Sequence, residues 1–281
     1  MDTRFYKPFQ ASLFKYLILL SIIILLVADI AIYFISTSYS FKQTQNDLRL
    51  IAQHAAQGVP IVEHEKITRP DQLTSVEYKA IEKYFQEIMV GNPAIDDIYT
   101  LRPTGKPHLM SFVVSAMVTG DINGNDVIEE NEVKPSIGEL YNTTESPAME
   151  KGITTVASDN SVTSDKWGQW ISGYAPVRNE TGNSVAVLGV DYSAEFIFQA
   201  RWKIVQSLLL CDAILLPFLI LLGYLLSRRI SRPFALLAQG MDHVIHGDIN
   251  YQLPYHGYVE DKIFSELFNN MKDVLQRQIK K

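Results

Sequence analysis

The chain has 281 residues, 47% of them hydrophobic, and a formal charge of −6. Its mean hydropathy is near neutral, so so large an apolar fraction must be concentrated in particular stretches. The acidic balance, with no basic patch interleaved with aromatics, excludes a nucleic-acid binder, and a single cysteine, Cys211, excludes an intrachain disulfide or a cysteine metal site.

The first element follows residues 1–16. Leu17–Ile35 reads LILLSIIILLVADIAIYFI, with Asp29 as its only charge. A bilayer core of about 30 Å needs about 20 apolar helical residues. The apolar core of a cleaved signal runs only about 7–15 residues. An uncleaved transmembrane anchor over 17–35 is therefore expected, with cleavage after the small residues STSYS as the alternative. Ile204–Leu226 is a second such run, interrupted by Gln206, Ser207, Asp212 and Pro217. Its alternative is a buried helix of a large soluble domain. Arg4, Lys7 and Lys15 precede the first run, and Arg228, Arg229 and Arg232 follow the second. Positive flanks stay inside, so both termini are expected in the cytoplasm and residues 36–203 outside it.

Asp29 and Asp212 lie at similar depths from the outer ends of their helices. Intramembrane carboxylates are costly and usually have a partner. Either the two face each other and share a proton or a water, or each sits protonated near the interface without a role. Pro217 removes a helix hydrogen bond and is expected to bend its span.

In the exported segment, Phe41, Leu48, Ala52 and Ala55 fall at helical spacing, with Gly58 and Pro60 ending the pattern. The first span is expected to continue as a stalk helix. Leu73–Gly91 carries a second set of helix signals. Thr74 and Glu77 suit a capping box, Leu73 and Tyr78 a staple, and Tyr78, Ile81, Phe85 and Ile88 one stripe. Gly91 suits a left-handed stop before Pro93. The period then changes to two. Ile98–Leu101, Leu109–Met117, Trp170–Val177 and Val185–Tyr192 read as strands, the last two joined by RNETGN. The class is α+β: helix, antiparallel sheet, then Ala194–Arg201 leading into the second span.

The order of stalk helix, YKAIEKYFQEIMVGNPAIDDIYTL, FVVSA, DKWGQWISGYAPV and VAVLGVDYSAEF resembles a single Cache (PAS-like) sensor domain of a bacterial membrane receptor. The resemblance implies an extracytoplasmic small-ligand sensor in the inner membrane. Alternation puts Trp170, Ser172 and Tyr174 on one strand face and Gly189 and Asp191 on one face of the next. With Tyr99 these supply the candidate ligand residues Tyr99, Trp170, Ser172, Tyr174 and Asp191. An aromatic wall beside a carboxylate suits an amine or another small polar ligand; plain core is the other reading of such aromatics.

Between the strands, Asp121–Glu132 reads DINGNDVIEENE. A twelve-residue calcium loop wants oxygen ligands at positions 1, 3, 5, 7, 9 and 12. Asp121, Asn123, Asn125, Val127, Glu129 and Glu132 occupy those places. Asp126 stands where glycine is expected, at a position that needs a left-handed backbone. A bound Ca2+ and a solvated acidic turn both remain open. Glu63, His64 and Glu65 are adjacent in a polar loop and are not expected to converge on a metal. Asn142 and Asn179 begin glycosylation-type triplets that a bacterial source would leave unused. No Ser/His/Asp set or phosphate loop is present, so no enzyme activity is expected.

After the second span, Phe234, Leu237, Met241 and Val244 repeat in a three-four pattern, as do Phe264, Phe268, Met271 and Leu275. Arg232-Pro233, Gly247-Asp248, Pro254, Glu260 and Phe268-Asn269-Asn270-Met271 resemble a HAMP linker over 227–278, followed by a tail at 279–281. Glu260-Asp261-Lys262-Ile263 departs from its pattern, which leaves the start of the second helix open. The resemblance implies two short helices of a parallel four-helix coiled coil, hence a homodimer. It also implies a cytoplasmic effector, either lost by truncation or supplied by another protein. Asp29, Asp212, Pro217, Pro233 and Glu260 are the candidate relay residues. A membrane-surface amphipathic segment is the alternative for 227–278. For the whole chain, the alternative is a dimeric membrane assembly protein whose exported part binds a partner.

Overall fold

The computed structural model describes residues 3–121, 124–254 and 259–279. The chain forms two compact units. One spans residues 34–204; the other joins residues 1–33 to 205–281.

The 34–204 unit is built on the end of α1 (Thr3–Gln57). Its Leu48, Ala52 and Ala55 are fully buried, as the spacing predicts. The small residues let the helix backbone come down onto the sheet. A Cβ added at Gly173 would lie 2.6 Å from the Leu48 carbonyl oxygen, so the strand offers bare backbone at the crossing. Next come α2 (Ile61–Lys66) and α3 (Val76–Val90). The segment of Glu63–Glu65 expected as a polar loop is thus a short helix. It turns His64 into the core and Glu65 outward.

The cap of α3 differs from expectation by one residue. Ser75 sits in extended conformation and its Oγ accepts the Tyr78 N–H at 3.2 Å. Leu73 and Thr74 belong to the preceding 3-10 turn, Pro70–Thr74. A capping oxygen must precede the first helical residue, and that residue here is Val76. Ser75→Ala is expected to cost about 1 kcal/mol, whereas Thr74→Ala leaves the melting temperature nearly unchanged; thermal unfolding of both variants checks this. Gly91 ends the helix at φ −75°, ψ −12°. It is right-handed, so the left-handed stop is not used.

The strands are β1 (Ile95–Pro103), β2 (Leu109–Ser115), β3 (Leu140–Asn142), β4 (Ala157–Ser158), β5 (Thr163–Ser164), β6 (Gln169–Arg178) and β7 (Ser184–Ser193). A short helix α4 (Pro147–Gly152) lies between β3 and β4. The sheet order is β3-β2-β1-β7-β6-β4, with β5 beside β6 and every pairing antiparallel. Alternation splits the side chains between two cores. Ile98, Val113, Ile171, Ala175, Leu188 and Val190 pack with Leu48, Tyr78, Ile81 and Phe85. The opposite face carries Tyr99, Leu101, Met110, Phe112, Tyr174 and Val187 against Met149 of α4.

In the other unit, the start of α1 and α5 (Ala194–Ile245) are long and apolar enough to cross a membrane. Their apolar side chains face outward, Ile24 at 60% exposure and Ile214 at 69%. The expected short helix after the second span is not separate. α5 continues through Pro217 and Pro233 to Ile245 and faces α6 (Val259–Ile279). Between them Leu236, Leu253 and Phe268 are buried, flanked by Leu237, Val244 and Tyr251. Of the expected seam, Phe234, Met241, Met271 and Leu275 are exposed. A single chain covers only the half of each apolar stripe that faces its own second helix.

Candidate functional site

A cavity of about 530 Å³ opens on the sheet face away from α1. Strand β1 brings Asp97 and Tyr99, β7 brings Asp191 and β6 brings Trp170. Phe112 of β2, Tyr141 of β3, and Asp165 and Trp167 from the turn before β6 complete the wall. The rings stack on one another. Phe112 meets Trp167 edge-on at 5.4 Å and Tyr141 at 5.8 Å, and Tyr141 stacks on Trp167 at 6.5 Å.

Each carboxylate is tied to an aromatic donor or a hydroxyl. The Tyr99 hydroxyl donates to Asp191 Oδ1 at 3.1 Å. The Trp170 Nε1–H and the Tyr141 hydroxyl donate to Asp165 at 3.1 and 3.3 Å. Ser115 Oγ donates to Asp97 Oδ2 at 2.7 Å, while Asp97 Oδ1 is buried and makes no hydrogen bond. Burial pushes the Asp97 carboxyl up to about 6, against the opposing pull of Ser115 and nearby main-chain N–H groups. Burial also holds Asp191 well above the usual carboxylate range. The neighbouring charges of Asp97, Asp165 and Asp159 add to the rise, and Ser172 opposes it.

Tyr99 reaches Asp191 because Gly189 leaves room for its ring. The two residues pair across β1 and β7, and a Cβ at 189 would lie 2.4 Å from the tyrosine Cζ. Of the candidate ligand residues, Tyr99, Trp170 and Asp191 line the cavity. Ser172 and Tyr174 do not. They share the expected strand face, but β4 pairs beside them and brings Asp159 across. The Tyr174 hydroxyl donates to Asp159 Oδ2 at 3.3 Å, and the Ser172 N–H donates to the same oxygen at 2.9 Å. Both residues lie buried behind the wall. Asp97, Phe112, Tyr141, Asp165 and Trp167 are the wall residues that strand alternation at Trp170 and Asp191 does not reach. Asp97 stands two residues before Tyr99 and shares its face, which is the signal that would have found it.

The acidic loop forms the rim. Asp121, Asn131 and Glu132 line the cavity, and Glu132 is buried. Asp121 accepts the N–H groups of Gly124, Asn125 and Asp126. Asn125 Oδ1 accepts the Val127 N–H, and Glu132 Oε2 accepts the Glu129 N–H. Asp126 has φ +64°, the left-handed backbone its position requires. Asn123 lies outside the described residues. Among the described residues no group of three His, Cys, Asp or Glu side chains is placed to hold a metal ion. Lys134 ties the far end of the loop to Glu82 of α3. Burial alone would raise the Glu82 carboxyl, but Lys134 and Lys79 hold it below its ordinary value.

Of the relay candidates, Asp29 and Asp212 are brought together, carboxyl to carboxyl. Pro217 is exposed and Pro233 buried within α5. Glu260 lies in the first turn of α6, and its side chain is outside the described residues. Its neighbour Asp261 is the residue that meets Arg232, at 3.6 Å.

No family model matches the chain. It is 28% identical over 150 residues to the "Probable methyl-accepting chemotaxis protein" of Bacillus thuringiensis subsp. konkukian, a match covering 52% of this chain and 25% of that protein. The chain thus spans about a quarter of that relative's length. Among solved structures, the sensory domain of the Campylobacter jejuni chemoreceptor Tlp3 overlaps at 15% identity and a TM-score of 0.35, covering 67% of this chain and 65% of that one. The periplasmic sensory domain of chemoreceptor Tlp1 from the same organism overlaps at 11% identity and a TM-score of 0.28, covering 56% and 63%.

Proposed function

We propose that this chain is the sensing and relay part of a two-pass bacterial membrane receptor. Residues 36–203 act as an extracytoplasmic Cache (PAS-like) sensor whose cavity takes a small molecule. Residues 227–278 act as a HAMP relay to a cytoplasmic effector. One observation carries the reading. Asp191, in the cavity wall, stands three residues before α5, and α5 then runs unbroken from Ala194 through the apolar span to Ile245. A ligand that favours one position of β7 therefore acts on the first turn of that helix. The similarity to a chemotaxis protein supports the same reading.

The relay works as a homodimer. The exposed Phe234, Met241, Leu267 and Met271 are the faces a second chain covers. Asp29 and Asp212 share a proton or a water inside the span and set the register of the two helices. Calcium at Asp121–Glu132, supported by the ligand spacing, stiffens the rim. Calcium is expected to raise the melting temperature of the wild type and not of Glu132→Gln; an unchanged wild type removes the ion from the scheme.

The test is a thermal-shift screen of the full chain in neutral detergent. It covers amines, amino acids, organic acids and nucleobases. At least one compound is expected to raise the melting temperature, and Tyr99→Phe or Asp191→Asn to abolish that rise. A screen in which nothing shifts the wild type counts against the sensor.

A further inference from the structure

We infer that the cavity selects an organic cation without a carboxylate of its own, an amine or a quaternary ammonium, held between Asp97 and Asp191 and the aromatic wall. This deepens the sensor reading above and rests on it.

The ionisable groups of the wall are all acidic among the described residues apart from the tyrosines. Six acidic residues line the cavity: Asp96, Asp97, Asp121, Glu132, Asp165 and Asp191. No lysine, arginine or histidine lines it among the described residues. The nearby ammonium groups are engaged elsewhere. Lys134 pairs with Glu82, and Lys166 pairs with Glu139 at 2.5 Å. A ligand carboxylate entering this space would find six acidic residues and no cationic side chain on the wall, and would lose its hydration without a partner. An α-amino acid fails for that half of the molecule even if its ammonium is satisfied.

The wall also has the second half of a cation site. Tyr99, Phe112, Tyr141, Trp167 and Trp170 line the same space, and the negative faces of aromatic rings attract ammonium groups. The Trp167 ring already carries one cation, with Lys166 Nζ 4.3 Å from its centre. Asp97 supplies a carboxylate with one unpaired oxygen at the wall. Its Oδ1 is buried and makes no hydrogen bond, although Ser115 fixes the other oxygen. A buried carboxylate oxygen without a partner costs stability, and a cation held in the cavity beside Asp97 would offset that cost through its charge. A quaternary ammonium would relieve it by charge alone.

The experiment is calorimetric titration of the full chain in neutral detergent. The probes are tetramethylammonium, n-butylammonium and 1,4-butanediammonium chlorides, set beside sodium butyrate, L-valine and calcium chloride. At least one organic cation is expected to bind and butyrate and valine are not. Asp97→Asn and Asp191→Asn preserve shape and are each expected to weaken the cation at least roughly thirtyfold, the cost of removing one partner of a buried charge pair. Asp71→Asn removes an exposed carboxylate that does not line the cavity and is expected to change affinity less than about twofold. Melting curves of all three variants show that each is folded. Butyrate or valine binding that Asp191→Asn abolishes overturns the inference and leaves the sensor standing. Calcium that competes with the organic cations and is lost in Asp97→Asn makes the cavity a metal site and overturns it too. Binding by no probe also overturns it, and the sensor is then judged by the wider screen.

Discussion

Replacing Gly173 by Val is expected to lower the unfolding midpoint of the 34–204 unit by about 6–12 °C. The reason lies in what the new side chain would meet. The atoms nearest a Cβ at 173 are the Leu48 carbonyl oxygen at 2.6 Å and carbonyl carbon at 2.7 Å. These are main-chain atoms of α1, so no rotamer change makes room. Either the strand bends or α1 lifts off the sheet and exposes its own Leu48, Ala52 and Ala55, all now buried. Overpacking of this kind costs on the order of 3 kcal/mol, and each kcal/mol moves the midpoint by about 2–4 °C in a domain of this size. Trp167 and Trp170 stand on the opposite face of the sheet and report its unfolding by fluorescence. Gly120→Ala is the control, since nothing lies within 4 Å of its added Cβ. Equal midpoints for wild type and Gly173→Val would mean that α1 does not rest on β6 as described.

That crossing shows how far the residues speak before any coordinates do. The four long strands are legible because each is an alternating run rich in β-branched and aromatic residues. The short strands are not. Ala157–Ser158 and Thr163–Ser164 carry no apolar pattern and are strands only because β6 pairs with them. The same β4 pairing hides Ser172 and Tyr174, which alternation alone sends into the cavity. Asp165 and Trp167 sit in a turn, where no period says which way a side chain faces. Ser75 and Thr74 are equally good capping residues in sequence, and only the first helical residue decides between them. The apolar stripes of Phe234–Val244 and Phe264–Leu275 were readable as stripes, but which half each chain covers by itself was not. The open oxygen of Asp97 is a product of packing and is visible only in three dimensions.

Between pH 6.5 and about 4, the wild type is expected to lose about 3 kcal/mol of stability relative to His64→Gln. His64 is fully buried, with Nε2 at 2.9 Å from Thr100 Oγ1 and Nδ1 buried without a partner. Arg102 of β1 donates to the His64 carbonyl at 3.2 Å and places a second positive charge beside the ring. Burial first, and Arg102 second, push the imidazole down from 6.5 to about 4. The neutral ring is therefore part of the fold. In the unfolded chain the ring takes up its proton below about 6.5, so across this window the unfolded state binds more protons. The stabilisation is complete above about 6.5 and is lost as the pH falls through about 4, and a shift of this size is worth about 3 kcal/mol. Asp97 and Asp159, both raised to about 6 mainly by burial, act in the opposite sense. Their contribution is present at low pH and is lost as the pH rises through about 6. They are common to both proteins, so they cancel in the difference. Denaturant midpoints of wild type and His64→Gln, taken at steps across the window, measure that difference directly. A difference that stays flat from pH 4 to 6.5 would mean that His64 is solvated or already charged in the folded protein.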